Sequence, residues 1–121
     1  MPALRAPSAR ELIALAALTM STSQTPLAID AFEKARAMQG TAFEHDLELG
    51  VLYLAANRLT EARDALDRVP ATHPAYAMAL FKRAQVSVLL REPDAASRIA
   101  AARANANPMT RELIEREKLF R

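Results

Sequence analysis

Hydrophobic residues fall in blocks three or four helical turns long, separated by short polar joints. The β-branched runs of strands are missing, because Val and Ile are scattered singly. Read with their stop signals, the blocks predict helices near 9–22, 26–39, 42–56, 59–69, 74–90, 93–106 and 108–120. Ser8 with Glu11 forms an S-x-x-E capping box, in which each side chain satisfies an orphan backbone N–H, and Thr41 with Glu44 repeats it. Thr25-Pro26, Glu92-Pro93 and Asn107-Pro108 each set a proline at the first helical position, where its missing N–H costs nothing. Gly40 follows a helix end, where a left-handed residue closes the last turn. Joints this short force antiparallel neighbours, so the chain reads as a string of helical hairpins.

A shift of 34 residues superposes the chain on itself. It carries Ala16 to Gly50 to Ala84, Ala28 to Ala62 to Ala96, Phe32 to Leu66 to Ala100, and Pro74 to Pro108. Small residues at Ala16, Gly50, Ala62 and Ala84 let helices approach to about 8–9 Å, while Phe32 and Tyr53 fill the neighbouring holes. Two helices per 34-residue period is the tetratricopeptide pattern, and the chain resembles that family over nearly its whole length.

Residues 43–76 match it best: Leu49-Gly50 followed by Tyr53 on a first helix, then Ala62, Leu66 and Pro74 on and after a second. Asp46 stands where the family prefers Trp. The first repeat keeps Leu15-Ala16, Ala28, Phe32 and Ala35, with Thr19 at the tyrosine position and Gly40 at the proline. The third keeps Leu80, Ala84, Ala96 and Pro108 but puts Arg103 where a small residue belongs. Sliding its second helix back by one restores Ala95, Ile99 and Ala102. The resemblance implies an all-α helical-hairpin solenoid: one domain over 1–121, about three repeats near 9–42, 43–76 and 77–110, and a capping helix over 111–121. In that last segment Leu113, Ile114 and Leu119 are expected to turn inward, leaving Glu112, Arg116 and Lys118 in water.

Composition agrees with helices: hydrophobic residues make up 51%, heavily alanine, with two Gly and no Trp. A net charge of +2 is too small to imply nucleic acid, and no aromatic platform is interleaved with base. Acids outnumber bases from Asp30 to Asp67, and bases dominate from Lys82 to Arg111, where Arg83 reads as part of a solvated face. Without cysteine there is no disulfide and no Cys-based zinc site. Leu12–Met20 is apolar but too short to span a bilayer, and no small-x-small cleavage pattern follows it. It reads as a mature helix of a cytoplasmic protein.

No catalytic residue, metal site, cofactor or small-molecule substrate is expected. Metalloprotease, phosphate-loop and nucleophile-elbow motifs are lacking, and His45, between Glu44 and Asp46, reads as solvated or capping. The pairs Asp64–Arg68 and Glu112–Arg116 have i,i+4 spacing and read as surface ion pairs.

The resemblance places partner binding on a concave groove lined by the first helices of the repeats. Its positions would be Ile13, Ala17 and Met20, then Leu47, Val51 and Leu54, then Phe81, Gln85 and Val88. Segment 42–56 is apolar nearly all round, so its open side needs covering by a partner peptide, a second copy, or the chain's own last helix. Relatives that clamp a terminal carboxylate use Lys, Arg and Asn where this chain has Ile13, Ala17, Leu47, Glu48, Met78 and Lys82, so that mode is disfavoured. An apolar groove suits an amphipathic helix or apolar peptide, as in small secretion chaperones of this family. The expected function is an adaptor- or chaperone-like scaffold; the alternative is a structural module that self-assembles through its ends or groove.

Overall fold

Alanine-rich helices on short joints can bury their apolar stripes only by folding back on one another. In the computed structural model, which describes residues 5–121, they do so pairwise. Residues 1–4 of the expected domain lie outside the described residues. The helices are α1 (Ala9–Ser21), α2 (Thr25–Gln39), α3 (Asp46–Ala55), α4 (Leu59–Asp67), α5 (Tyr76–Leu89), α6 (Ala95–Ala104) and α7 (Pro108–Arg116). Gly40–Ala42 and Lys118–Phe120 form 3-10 turns, and the described residues contain no strand. Two compact units result: one ends at His45 and contains the α1/α2 hairpin, the other spans Asp46–Arg121 and contains α3 to α7.

The backbone repeats the 34-residue period where the side chains do not. Ser23, Asn57 and Arg91, spaced by that period, all adopt positive φ (60°, 59° and 56°) in the turns that close α1/α2, α3/α4 and α5/α6. At each turn the positive-φ residue donates its N–H to a carbonyl three residues back (Met20, Leu54, Val88). The next residue donates to one five back (Thr19, Tyr53, Ser87) at 2.7, 2.8 and 3.0 Å. This is the Schellman closure, built on residues with a Cβ instead of glycine. A left-handed L-residue costs about 1–2 kcal/mol, partly offset by the extra freedom glycine has in the unfolded chain. Arg91→Gly is therefore expected to raise stability by about 0.5–1 kcal/mol in urea denaturation, and a loss would show that the Arg91 side chain holds the turn.

Helix starts follow the sequence only in part. The Ser8–Glu11 box forms reciprocally, and Asn107 caps α7 with Pro108 in its first turn, Thr110 completing the box. At α2 the cap position falls on Gln24, without a side-chain bond, so Thr25 is already helical. At α6 it falls on Asp94, which leaves Pro93 outside the helix. The predicted Thr41–Glu44 start does not form: Thr41 lies in the 3-10 turn after α2, and α3 begins at Asp46. The cause is aromatic packing. Phe43 is buried edge-on to Phe32, and His45 stacks on Phe32 at 5.6 Å between ring centroids, which keeps 43–45 out of the helix. His45, directly before α3, is thus half-buried in an aromatic cluster.

In the second unit α3 presses on α4 through Gly50. A Cβ there would lie 2.8 Å from two side-chain carbons of buried Leu66, so the position admits no side chain without moving Leu66. Leu49, Tyr53, Ala62 and Leu66 are all buried around it. In α6 burial follows the slid register: Ala102 is buried, Arg103 and Ala96 are exposed, and Ile99 packs on the core of Phe81, Ala84, Ala102 and Ile114. In and after α7 only Ile114 of the three expected apolar residues turns fully inward; Leu113 and Leu119 are both 36% exposed. Leu15 of the first repeat's motif is also exposed, while Ala16, Ala28, Phe32 and Ala35 are buried.

Candidate functional site

The nine expected groove residues divide between the two units. In the first, Ile13 and Met20 are half-buried and Ala17 exposed, one helical face of α1. In the second, Leu47 is buried on α3 with Val51 and Leu54 half-buried beside it, and on α5 Phe81 is buried while Gln85 and Val88 are half-buried.

The α5 face is not bare. Phe120, from the 3-10 turn after α7, meets the Phe81 ring edge-on at 5.8 Å and 83°. Gln85 Nε2 donates to Glu117 Oε2 at 2.7 Å. The chain's own last segment thus covers two of the expected α5 positions. Lys82 Nζ lies 5.5 Å from the Phe81 ring centroid, on its face. On α3 the apolar run of residues 49–55 leaves Val51 and Leu54 half-exposed, with buried Leu52 and Tyr53 between them.

A charged cluster that sequence reasoning missed sits behind this face. Arg83 is buried to 4% exposure and its Nε donates to Asp67 Oδ1 at 2.7 Å. Its Nη1 donates to Ser87 Oγ at 2.6 Å and Glu92 Oε1 at 2.8 Å, and Ser87 Oγ donates to the same Glu92 oxygen. Arg63 and Arg98 stand at the rim, 3.9 Å from Glu92 and 3.7 Å from Asp67. Burial works against the charge on Arg83, but the bonds to Asp67 and Glu92 outweigh it, and its pKa ends above the ordinary value. The bond from Arg83 holds the Glu92 carboxyl below its usual range, helped by Ser87. Arg83 was read as a solvated base; the signal against that was its register, since the 34-residue shift sets Arg83 on Leu49 and Ser87 on Tyr53, both core positions. The cluster ties the end of α4 to α5 and to the α5/α6 joint, a structural task.

Surface ion pairs are redistributed as well. Arg68 reaches Asp46 at 3.0 Å and Asp64 pairs with Arg63, so the expected Asp64–Arg68 pair does not form, while Glu112–Arg116 does at 2.7 Å. No group of three or more His, Cys, Asp or Glu that could hold a metal occurs among the described residues. A cleft lined by Arg103, Ala106, Arg111, Ile114 and Glu115 encloses about 230 Å³, below the roughly 300–1,000 Å³ of small-molecule sites. Among the described residues no helix is long and apolar enough to cross a membrane.

With this geometry in hand, a family model described as tetratricopeptide repeat matches residues 20–82, just over half of the chain. No curated protein and no solved structure matches it.

Proposed function

Because the chain belongs to the tetratricopeptide repeat family, whose repeats generally mediate protein–protein interaction, we propose that it is an adaptor- or chaperone-like scaffold holding an apolar or amphipathic helical segment of a partner. The observation that carries this reading is α3. It is apolar nearly all round, it already buries Leu47, Leu49, Leu52 and Tyr53, and it still leaves Val51 and Leu54 half-exposed at helical spacing. The α1 strip of Ile13, Ala17 and Met20 offers a similar surface in the first unit. The proposal takes residues 1–121 as one working domain in a cytoplasmic setting, with Leu12–Met20 built into α1.

The test uses an amphipathic helical peptide with leucines at i, i+3, i+4 and i+7 as probe, read by fluorescence anisotropy against the full chain. Burying an unpaired charge at an interface costs about 2–5 kcal/mol, so Val51→Glu should weaken binding more than tenfold while the helical circular dichroism stays intact. Loss of helical signal would make Val51 a core residue and remove the reading from α3.

A second reading, self-assembly, is favoured by exposed Leu15, Leu18, Leu27 and Met38 in the first unit. It requires a solution mass that rises with concentration; steady monomers at low and high salt exclude it.

A further inference from the structure

The segment that follows α7 behaves in the structure as a ligand of α5. Helix α7 itself is pinned through buried Ile114 and Thr110 and through the Asn107 cap. At Glu117 the backbone turns extended (φ −76°, ψ 113°) and leaves the helix. Beyond it the 3-10 turn closes on backbone bonds of 3.3 and 3.2 Å, and Leu119 and Arg121 are exposed. Half-buried Phe120 packs on the core of Phe81, Ala84, Ala102 and Ile114, and Arg121 Nη2 donates to the Glu115 carbonyl at 3.2 Å. Against α5 the segment sets Phe120 on the edge of Phe81, and Glu117 Oε2 accepts from Gln85. Its other carboxylate oxygen accepts from the Leu119 N–H, which fixes the spacing between acid and phenylalanine.

The side of α5 facing this segment is incompletely satisfied. Gln85 Oε1 is buried and accepts no hydrogen bond from the described residues. Its amide orientation is set by the carboxylate of Glu117, which requires the Nε2 donor, so the orphan acceptor cannot be removed by flipping the amide. A peptide laid across α5 in place of the segment could present a backbone N–H there while reproducing both anchors.

We propose that Glu117–Phe120 is a built-in stand-in for a partner's segment, and that the α5 face of Phe81 and Gln85 takes a peptide carrying an acidic residue three positions before a phenylalanine. This deepens the scaffold reading and rests on it. The segment then acts as a displaceable cover: binding competes with it, and loosening it raises the apparent affinity in proportion to the fraction of molecules it had closed.

The experiment measures binding of a labelled peptide with the sequence of residues 115–121 to the parent chain of residues 1–121, to Phe120→Ala and to Glu117→Ala, with circular dichroism on each. If the segment is seated in about nine-tenths of molecules, both variants should bind the peptide about tenfold more tightly than the parent chain. A peptide with alanine in place of its phenylalanine should bind none of them. Equal affinities across the three proteins, or no binding to any, would overturn the proposal, as would loss of helical structure in both variants, which would make the segment part of the core. A mass that doubles with concentration in the parent chain but stays monomeric in Phe120→Ala would show that copies exchange the segment, and would overturn the intramolecular cover. Each of these results leaves the scaffold reading to its own test on α3, which uses a different probe and Val51.

Discussion

Replacing Arg83 by alanine is expected to lower the stability of the chain by about 3 kcal/mol, a fall of roughly 10 °C in melting temperature. The side chain is 4% exposed and serves three acceptors on three parts of the second unit: Asp67 at the end of α4, Ser87 on α5 and Glu92 in the α5/α6 joint. Truncation removes both the packed stem and the cation, takes the Arg83 donor from Asp67 and the Ser87 hydroxyl, and leaves Glu92 with the bond from Ser87. Breaking a buried pair from one side costs about 3–5 kcal/mol, and the lower end applies because the carboxylates keep water: Asp67 is 42% exposed and Glu92 20%. A loss below about 1 kcal/mol would show that the cluster is decoration.

Two controls separate the charge from the packing. Arg83→Leu combined with Asp67→Asn and Glu92→Gln should recover most of the loss, since an apolar side chain without stranded charges is often as stable as a buried ion pair. The acid side of the stability curve gives the other. Glu92 has its pKa lowered from the ordinary 4.5 by the bond from Arg83. A depressed carboxylate stabilises the fold at pH above its unfolded value, and that contribution is lost as pH falls through the lowered folded value. The parent chain should therefore lose stability more steeply below about pH 4.5 than Arg83→Ala does, read by urea denaturation from pH 6 to pH 3. Parallel curves would mean that Arg83 and Glu92 do not interact in solution.

Arg83 also shows where the sequence was legible and where it was misread. The hairpin period was visible because close helix packing restricts Ala28, Ala62, Phe32 and Leu66 to small or large apolar residues, and all four are buried. The same period set Arg83 and Ser87 on core positions, but a count of charges along the chain put Arg83 in water; the partners Asp67 and Glu92 come from other elements, which a run of charges does not show. The Thr41–Glu44 box was a sound local signal overridden by tertiary packing, because Phe43 gains more from Phe32 than a first turn gains from its cap. Two of the three Schellman turns were invisible, since serine and arginine at Ser23 and Arg91 carry no glycine signature, whereas Asn57 is a residue type that adopts the left-handed conformation readily. At the candidate site, helical register identified Phe81 and Gln85 as residues sharing a face. It could not show that Glu117 and Phe120 fold back onto them, because that contact depends on how α7 seats on α5.

Phe32→Ala should be the most damaging single truncation in the first unit, costing about 3–5 kcal/mol. Phe32 lies on α2 at 2% exposure, edge-on to Phe43 at 6.1 Å and stacked on His45 at 5.6 Å, while Phe43 and His45 also meet at 5.7 Å. Removing one ring opens a void between an α-helix and an extended segment and dissolves two of the three ring contacts. These ring contacts act against the segment's own sequence, which favours an earlier helix start. Phe32→Leu keeps most of the volume and gives up only the ring-to-ring terms, worth about 0.5–1.5 kcal/mol each, so it should lose well under half as much as alanine. Thermal denaturation of the full chain, with exchange of the backbone amides of 43–45 as the local readout, checks both expectations. The alanine variant should melt about 10–15 °C lower and exchange those amides faster, the leucine variant far less so. If both variants lose equally, shape at Phe32 matters more than volume; if neither loses 1 kcal/mol, the aromatic cluster is not what holds 43–45 against α2.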